Sequence, residues 1–282
     1  MRILSIQSSV AYGHVGNSAA VFPLQRLGHE VWPVNTVHFS NHTGYGQWRG
    51  PLLAPTDVAD VITGIAERGV LPTCDAVLSG YQGAETVGEV ILDAVAQVKA
   101  ANPSAVYCCD PVMGDVGRGF FVRPGIPEFM RDRVVPAADL VTPNQFELEF
   151  LTDRKIATAA DLLDAVDALR AVGPRTVLVT SVQTDATPPD SIEMVAVDDH
   201  GAWAVRTPLL PISVNGAGDM TAALFLAHTL TDGPRVALER TASSVFAVLS
   251  ATADGGHREI ALVAAQGRIA HPGTEWTATS LR

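Results

Sequence analysis

Short apolar segments alternate with amphipathic segments along most of the chain. The apolar segments have the length and the β-branched content of buried strands. They are Arg2–Gln7, Glu30–Asn35, Asp75–Ser79, Ala105–Cys109, Asp139–Thr142 and Thr176–Thr180. The segments between them carry apolar residues at helical spacing, and several end at Gly, Asn or Pro. They are Asn17–Leu27, which contains Pro23, Thr56–Arg68, Thr86–Ala101, Asp161–Val172 and the Ala-rich stretch from Gly216 onwards.

This alternation predicts the α/β fold class, as a three-layer α/β/α sandwich with a central, mostly parallel sheet. Two further segments, Ile192–Val197 and Ala202–Arg206, predict a hairpin around Asp198–Gly201. The stretch Thr36–Pro55 is rich in Gly, Asn, His and Ser, so it predicts a long loop. Because no linker or internal repeat divides the chain, we expect a single domain over residues 1–282.

Polar or small residues follow four of the predicted strands. In a parallel sheet, ligands bind outside the carboxyl ends of the strands. We therefore expect these four strand ends to form one edge that carries the site. They are Gln7-Ser8-Ser9, Ser79-Gly80-Tyr81, Cys109-Asp110-Pro111 and Thr142-Pro143-Asn144.

The composition excludes several classes of function. The net charge is −11 and no basic stripe is present, so we expect no nucleic-acid partner. No apolar stretch has the length of a bilayer, so no membrane contact is expected. The only lysines, Lys99 and Lys155, lie outside Gly-rich loops, and this excludes a P-loop nucleotide site. Three cysteines do not predict a disulfide framework, and free thiols favour a cytoplasmic location.

The segment Asn215–Asp219 places glycines directly before an Ala-rich helix. A helix that begins this way presents free backbone amides, which bind anions. Asp219 would lie beside that anion hole, where a carboxylate can accept the proton of an attacking hydroxyl while the amides stabilise a transferring phosphoryl group. An ordinary capped helix start, with Asp219 favouring the helix dipole, explains the same residues.

Acidic side chains from neighbouring strand ends could hold a cation. Asp110 ends a strand in an apolar setting, and Asn144 and Glu147 follow the strand that ends at Thr142. Mg²⁺ prefers oxygen ligands and usually keeps several waters, so Asp110 and Glu147 could hold it through water. An Asp-Pro turn at Asp110, and a carboxylate that caps backbone amides at Glu147, are the simpler alternatives.

Taken together, the motifs resemble the bacterial branch of the pyridoxal kinases, in the ribokinase-like superfamily. Two blocks, Ile6–Ser8 with Tyr12–Ala20 and Phe39–Thr43, distinguish this family from sugar and nucleoside kinases. The matching stretches keep the family's order and cover most of the chain. They are Ile6–Ser8, Tyr12–Ala20, Trp32–Val37, Phe39–Thr43, Leu78–Tyr81, Asp110–Gly114, Thr142–Glu147 and Gly216–Asp219.

The resemblance implies a role for each matching residue. Asp219 would be the catalytic base and would also contact the substrate, and Gly216, Ala217 and Gly218 would form the anion hole. Ala217 departs from the threonine that is common in the family, but its backbone amide remains. The substrate residues would be Ser8, Val15, His42, Thr43 and Tyr81. The ATP and metal residues would be Asp110, Thr142, Asn144, Glu147, Thr180, Pro208, Leu209 and Leu210.

The resemblance also implies a reaction, in which ATP phosphorylates the 5′-hydroxymethyl of pyridoxal, with pyridoxine and pyridoxamine as possible further substrates. It implies Mg²⁺, a monovalent cation and a homodimer. A hydroxymethylpyrimidine kinase of the same fold is an alternative, because that substrate is also an aromatic primary alcohol. A non-catalytic vitamer-binding protein is a second alternative, against which Asp110, Glu147 and Asp219 argue.

Overall fold

The structure is a computed structural model that describes residues 1–282. One nine-stranded sheet runs through the molecule in the order β11-β10-β9-β8-β7-β4-β3-β1-β2, and β5 and β6 form a separate small hairpin. The strands are β1 Arg2–Val10, β2 Glu30–Phe39, β3 Ala76–Ser79, β4 Val106–Cys109, β5 Gly114–Asp115, β6 Gly119–Phe120, β7 Leu140–Val141, β8 Thr176–Val182, β9 Ser191–Asp198, β10 Gly201–Pro208 and β11 Thr279–Ser280.

Helices cover both faces of the large sheet. Their bounds are α1 Asn17–Arg26, α2 Pro55–Glu67, α3 Glu85–Ala101, α4 Ile126–Phe129, α5 Val135–Ala137, α6 Gln145–Thr152, α7 Ala159–Arg170, α8 Ala217–Asp232, α9 Pro234–Asp254 and α10 Gln266–Ala270. Apolar residues of α2, α3 and α7 pack with one face, and those of α1, α8 and α9 pack with the other. No helix is both long and apolar enough to cross a lipid bilayer.

The sheet is parallel from β2 to β8 and antiparallel beyond β8. The pairs β1–β2, β1–β3, β3–β4, β4–β7 and β7–β8 are parallel, and β8–β9, β9–β10 and β10–β11 are antiparallel. The predicted α/β fold is therefore confirmed, as is the β9–β10 hairpin. The parallel strands point their carboxyl ends to one edge, so the polar residues that follow them come together there.

Two parts of the sequence-based prediction were wrong. The stretch Thr36–Pro55 is not loop throughout, because β2 continues to Phe39 and Val37 pairs with Leu52. Its polar composition concealed this pairing, since only Val37 and Phe39 mark the end of the strand. The hairpin of β5 and β6 was also not predicted, because two-residue strands are too short for a periodic pattern.

His228 is a buried titratable group on α8, and its Nε2 has no hydrogen-bond partner. Burial lowers its pKa to about 4, and the neighbouring Arg240 acts in the same direction. The folded state thus keeps His228 neutral, whereas the unfolded chain protonates it below its ordinary pKa of 6.5. Above pH 6.5 the group has no effect on stability. As the pH falls from 6.5 towards 4, stability is lost.

We expect His228→Leu to flatten this acid-dependent loss. At full effect the histidine costs the folded protein about 3 kcal/mol near pH 4. Thermal melts of the wild type and the variant at pH 7.5 and pH 4.5 measure the effect. The gap in melting temperature between the two pH values should shrink in the variant. An equal gap in both proteins would mean that His228 does not titrate as described.

Candidate active site

A cleft lies at the edge of the sheet where the parallel strands end. Its wall takes Ser8 from β1, Tyr81 from the turn after β3, Asp110 after β4, Thr142 after β7 and Thr180 from β8. The loop before α8 closes the remaining side with Val214–Asp219. The strand ends that the sequence predicted to share one edge thus share one cleft.

The helix α8 begins at this cleft with a left-handed glycine. Gly216 precedes the helix with a φ of 89°, and Ala217 and Gly218 form its first turn. A Cβ on Gly216 would lie within 1.7 Å of the His14 carbonyl oxygen, so no other residue fits without moving the backbone. The close contact fixes the amide-bearing end of α8 against the loop that follows β1. The free backbone amides at this end are placed as an anion hole requires.

Asp219 stands in the first turn of α8 and faces the cleft. Its side chain is half-buried, yet the surrounding protein removes enough water to raise its pKa. A backbone hydrogen bond from Gly16 acts in the opposite direction and holds the carboxylate in place. A carboxylate with a raised pKa accepts a proton more readily, and this is the property that a general base needs.

Asp110 is buried in the same cleft and accepts a 3.0 Å hydrogen bond from the Thr142 hydroxyl. Its pKa is raised well above the ordinary value, first by burial and then by repulsion from Glu147 and Asp219. Three carboxylates therefore share a poorly hydrated space. Such a group is stable in its charged form only when a cation is close by.

Glu147 also stabilises the local backbone. Its Oε2 accepts the Asn144 N–H at 2.9 Å and its Oε1 accepts the Met113 N–H at 2.8 Å. The Asn144 Oδ1 accepts the Glu147 N–H in return, which completes a capping box at the start of α6. Burial raises the pKa of Glu147 to about 8 against these bonds. The capping role that the sequence left open is thus present.

At the far end of the cleft, β8 carries an irregularity. The pairing of β8 with β9 shifts between Val179 and Val182, and Ser181 adopts a left-handed φ of 55°. The bulge leaves Thr180 facing the cleft beside Asn144, with its N–H bonded to the Pro143 carbonyl at 2.9 Å. Bulges of this kind re-aim a side chain next to a site.

Of the sequence-predicted residues, all but three line the cleft. The substrate set, the anion hole and the ATP set up to Thr180 are all in its wall. Pro208, Leu209 and Leu210 are not, because they lie at the exposed end of β10, where the Leu209 N–H binds the Asp190 carbonyl. Their placement at an adenine ring stays a prediction.

Several cleft residues escaped the sequence reasoning. Val10, Val37 and Phe39 form an apolar wall. The last two lie in the part of β2 that the sequence assigned to a loop, so their alternation was not used. Arg118 lies between β5 and β6 and donates to the Asn215 Oδ1 at 3.2 Å. It is the only Lys or Arg side chain that lines the cleft.

The cleft therefore has two chemically different halves, which meet at Asp219. The apolar half has a wall of Val10, Val37 and Phe39 with a few polar groups and suits a flat aromatic ring. The acidic half, around Asp110 and Glu147, has carboxylates, hydroxyls and free amides and suits a polyphosphate with its cation. A hydroxyl on a ring in the first half would lie beside a base and an anion hole, as phosphoryl transfer requires.

Comparisons with known proteins point in the same direction. The sequence profile of the family described as phosphomethylpyrimidine kinase matches residues 73–253. The chain is 65% identical to the pyridoxal kinase PdxY of Rubrobacter xylanophilus, over 96% of this chain and 94% of that protein. It is 62% identical to the pyridoxal kinase PdxY of Leifsonia xyli, over 96% of each.

A solved structure matches over the whole chain. The pyridoxal kinase of Leishmania donovani, in complex with ADP and pyridoxine, superimposes with a TM-score of 0.93 at 29% sequence identity. The match covers 100% of this chain and 99% of that one.

Proposed function

The chain belongs to the pyridoxal kinase family of the ribokinase-like superfamily, and we propose on this basis that its cleft phosphorylates the 5′-hydroxymethyl of pyridoxal with ATP. The product is pyridoxal 5′-phosphate, and the role is salvage of vitamin B6. The observation that carries this proposal is the position of Asp219 at the amide-bearing start of α8, between the apolar half and the acidic half of the cleft.

In this reaction the substrate oxygen attacks the γ-phosphorus in line while Asp219 accepts the hydroxyl proton. The bond from the γ-phosphorus to the β,γ-bridging oxygen breaks, and ADP leaves with that oxygen. The amides of Gly216, Ala217 and Gly218 stabilise the negative charge on the transferring group. Because these donors are backbone N–H groups, the alanine at position 217 retains them.

The vitamer binds in the apolar half of the cleft, which is called the vitamer half from here on. Ser8 offers a hydroxyl to the ring, and Val15 and Tyr81 pack against it. The ring edge lies next to His42 and Thr43, which come from the segment after β2. Burial raises the pKa of Tyr81, so its phenol stays neutral and suits an apolar wall.

The nucleotide and its Mg²⁺ occupy the acidic half. The cleft lining includes Asp110, Asp115, Glu147 and Asp219 but only Arg118 as a permanent cation, so it cannot neutralise a triphosphate by itself. No group of three or more His, Cys, Asp or Glu side chains forms a metal cage. Mg²⁺ usually binds one or two carboxylates together with phosphates and water. Asp110 and Glu147 would hold it, and bound Mg²⁺ would neutralise phosphate charge.

Hydroxymethylpyrimidine is the second candidate substrate, since the matching family profile carries a phosphomethylpyrimidine kinase description. We expect ADP release with Mg²⁺-ATP and pyridoxal, and a lower kcat/KM with hydroxymethylpyrimidine. The experiment compares pyridoxal, pyridoxine, pyridoxamine and hydroxymethylpyrimidine side by side. Turnover of the pyrimidine alone would overturn the choice of substrate, and turnover of none would overturn the kinase assignment in favour of a vitamer-binding protein.

Four further properties belong to this proposal, and only the dimer and the monovalent cation among them rest on the resemblance alone. They are a single kinase domain, a homodimer, a monovalent cation and a cytoplasmic location. The three cysteines are buried and unpaired, which is consistent with a reducing compartment. Light scattering tests the dimer, and a comparison of K⁺ with a bulky organic cation tests the ion.

A further inference from the structure

Glu259 has no place in the mechanism above, yet three hydrogen-bond donors from two segments beside the cleft converge on its carboxylate. Its Oε1 accepts hydrogen bonds from the His42 Nε2 at 3.0 Å and the Tyr45 hydroxyl at 2.7 Å. Its Oε2 accepts the His14 N–H at 2.9 Å. Only 14% of the Glu259 side chain is exposed.

Apart from these bonds, the segment His42–Tyr45 is attached by the buried His42 ring and by a tilted contact between the Tyr45 and Tyr12 rings, whose centroids lie 6.1 Å apart. Its short helical turn Thr43–Tyr45 contains no buried residue, and its own backbone bonds are internal. Two contacts from Arg258 supplement the Glu259 bonds. The guanidinium stacks on the Tyr45 ring at 3.8 Å and donates to the Gly44 carbonyl at 3.1 Å. The segment is therefore held mainly from the 258–259 side.

The irregular segment that carries Glu259, between α9 and α10, is anchored in the core just beyond this residue. Ile260 and Leu262, just beyond Glu259, are buried in the core with α8 and α9. The Ala261 N–H donates to the Thr252 hydroxyl on α9 at 2.9 Å. The Glu259 carboxylate is thus fixed to the scaffold rather than to a loose loop.

The groups that Glu259 holds belong to the walls of the vitamer half of the cleft. His42, Thr43 and Gly44 line the cleft, and so does Val15, next to His14. At Gly13, a Cβ would lie 2.2 Å from the Glu259 Oε2, so the loop after β1 packs tightly on the carboxylate. One side chain therefore ties together two walls that are remote from it in sequence.

We propose that Glu259 is a positioning residue that fixes the segment 42–45 and the loop at 13–15 against the vitamer ring. It touches no reacting atom. Its effect falls on binding of the alcohol substrate, whereas ATP binding in the acidic half of the cleft does not depend on it. The proposal rests on the function assigned above, since the vitamer is what the two walls enclose.

The test compares Glu259→Ala with Glu259→Gln. Glu259→Ala removes both acceptor oxygens and with them all three hydrogen bonds, so the KM for pyridoxal should rise by about tenfold or more. The KM for ATP and kcat should stay within about threefold. In Glu259→Gln the amide oxygen can replace Oε1 and accept from His42 and Tyr45, but the amide nitrogen cannot accept the His14 N–H, so the KM for pyridoxal should lie clearly below that of Glu259→Ala without reaching the wild-type value. Glu67→Ala, at an exposed position on α2, is the control for loss of a carboxylate.

Tyr45→Phe is a milder variant that should not disturb folding, because it deletes only the hydrogen bond from the Tyr45 hydroxyl to Glu259. It should raise the KM for pyridoxal by a smaller factor than Glu259→Ala. A KM for pyridoxal that is unchanged in Glu259→Ala would overturn the proposal. So would an equal rise in the KM for ATP, or no recovery in Glu259→Gln.

A second readout does not depend on activity. Hydrogen–deuterium exchange in a peptide that covers residues 40–48 should accelerate in Glu259→Ala, whereas exchange in the acidic half of the cleft should not change. If the wild type proves inactive towards pyridoxal, the proposed function fails, but faster exchange at residues 40–48 still supports the attachment. Unchanged exchange there would refute it.

Discussion

Asp219→Asn should lower kcat for pyridoxal phosphorylation by about a thousandfold, which is the usual contribution of a positioned general base. Asparagine has the same shape and keeps an oxygen that can accept the Gly16 N–H, so the site should keep its geometry. It cannot accept the proton of the substrate hydroxyl. The KM values for ATP and pyridoxal should change by no more than about threefold, because binding contacts remain.

The control for Asp219→Asn is Asp60→Asn, which makes the same change on the exposed side of α2. Steady-state kinetics and a thermal melt of both variants separate chemistry from folding. A kcat for Asp219→Asn close to that of the wild type would rule out Asp219 as the base. A large loss of melting temperature would mean that the residue is structural.

Gly216→Ala should have the largest effect on the integrity of the site. The added Cβ would need to occupy a position 1.7 Å from the His14 carbonyl oxygen, in a residue with a φ of 89°. Left-handed backbone alone costs about 1 kcal/mol, and displacing the loop after β1 should bring the loss of stability to about 3 kcal/mol or more. Activity should fall with it, since the anion hole and the vitamer wall move apart.

Gly28→Ala is the matched control for this prediction. Gly28 follows α1 and has a φ of 84°, close to that of Gly216, but a Cβ there meets nothing within 4 Å. It should show only the backbone cost of about 1 kcal/mol and no loss of kcat. Urea unfolding of both variants measures the difference. Equal losses would mean that the contact with His14 does not matter.

The sequence predicted the fold well because its strands are short apolar runs between amphipathic helices, and the local pattern of apolar residues indicates both. The strand ends at Ser8, Asp110 and Thr142 then followed from the rule for parallel sheets. The end of β2 was missed because Val37 and Phe39 are single apolar residues in a stretch otherwise rich in Gly, Asn, His and Ser, and their place in the sheet depends on pairing with Leu52 and with the end of β1. Tertiary pairing of this kind leaves no periodic signal.

The site residues divide in the same way, into those that a short local segment reveals and those that only the folded structure brings together. Asp219 and the glycines before it could be recognised because the chemistry lies in one short segment. Arg118 and Glu259 could not, since each acts across a large separation in sequence. The contact between Glu259 and His42 spans 217 positions, and only the folded chain brings them together.

Resemblance also assigned three residues that do not line the cleft, Pro208, Leu209 and Leu210. The acidic half that it does include ends at Thr180. A structure with bound nucleotide would test where the adenine lies.

The most direct test of the central claim is to incubate the protein with pyridoxal, Mg²⁺ and ATP labelled with ¹⁸O in the γ-phosphoryl group. Mass spectrometry then identifies the phosphorylated vitamer while ADP is quantified. We expect one labelled phosphoryl group on the 5′ oxygen of pyridoxal for each ADP released. Release of ADP with labelled inorganic phosphate and no phosphorylated vitamer would contradict the account, because it would show that water rather than the vitamer accepts the phosphoryl group.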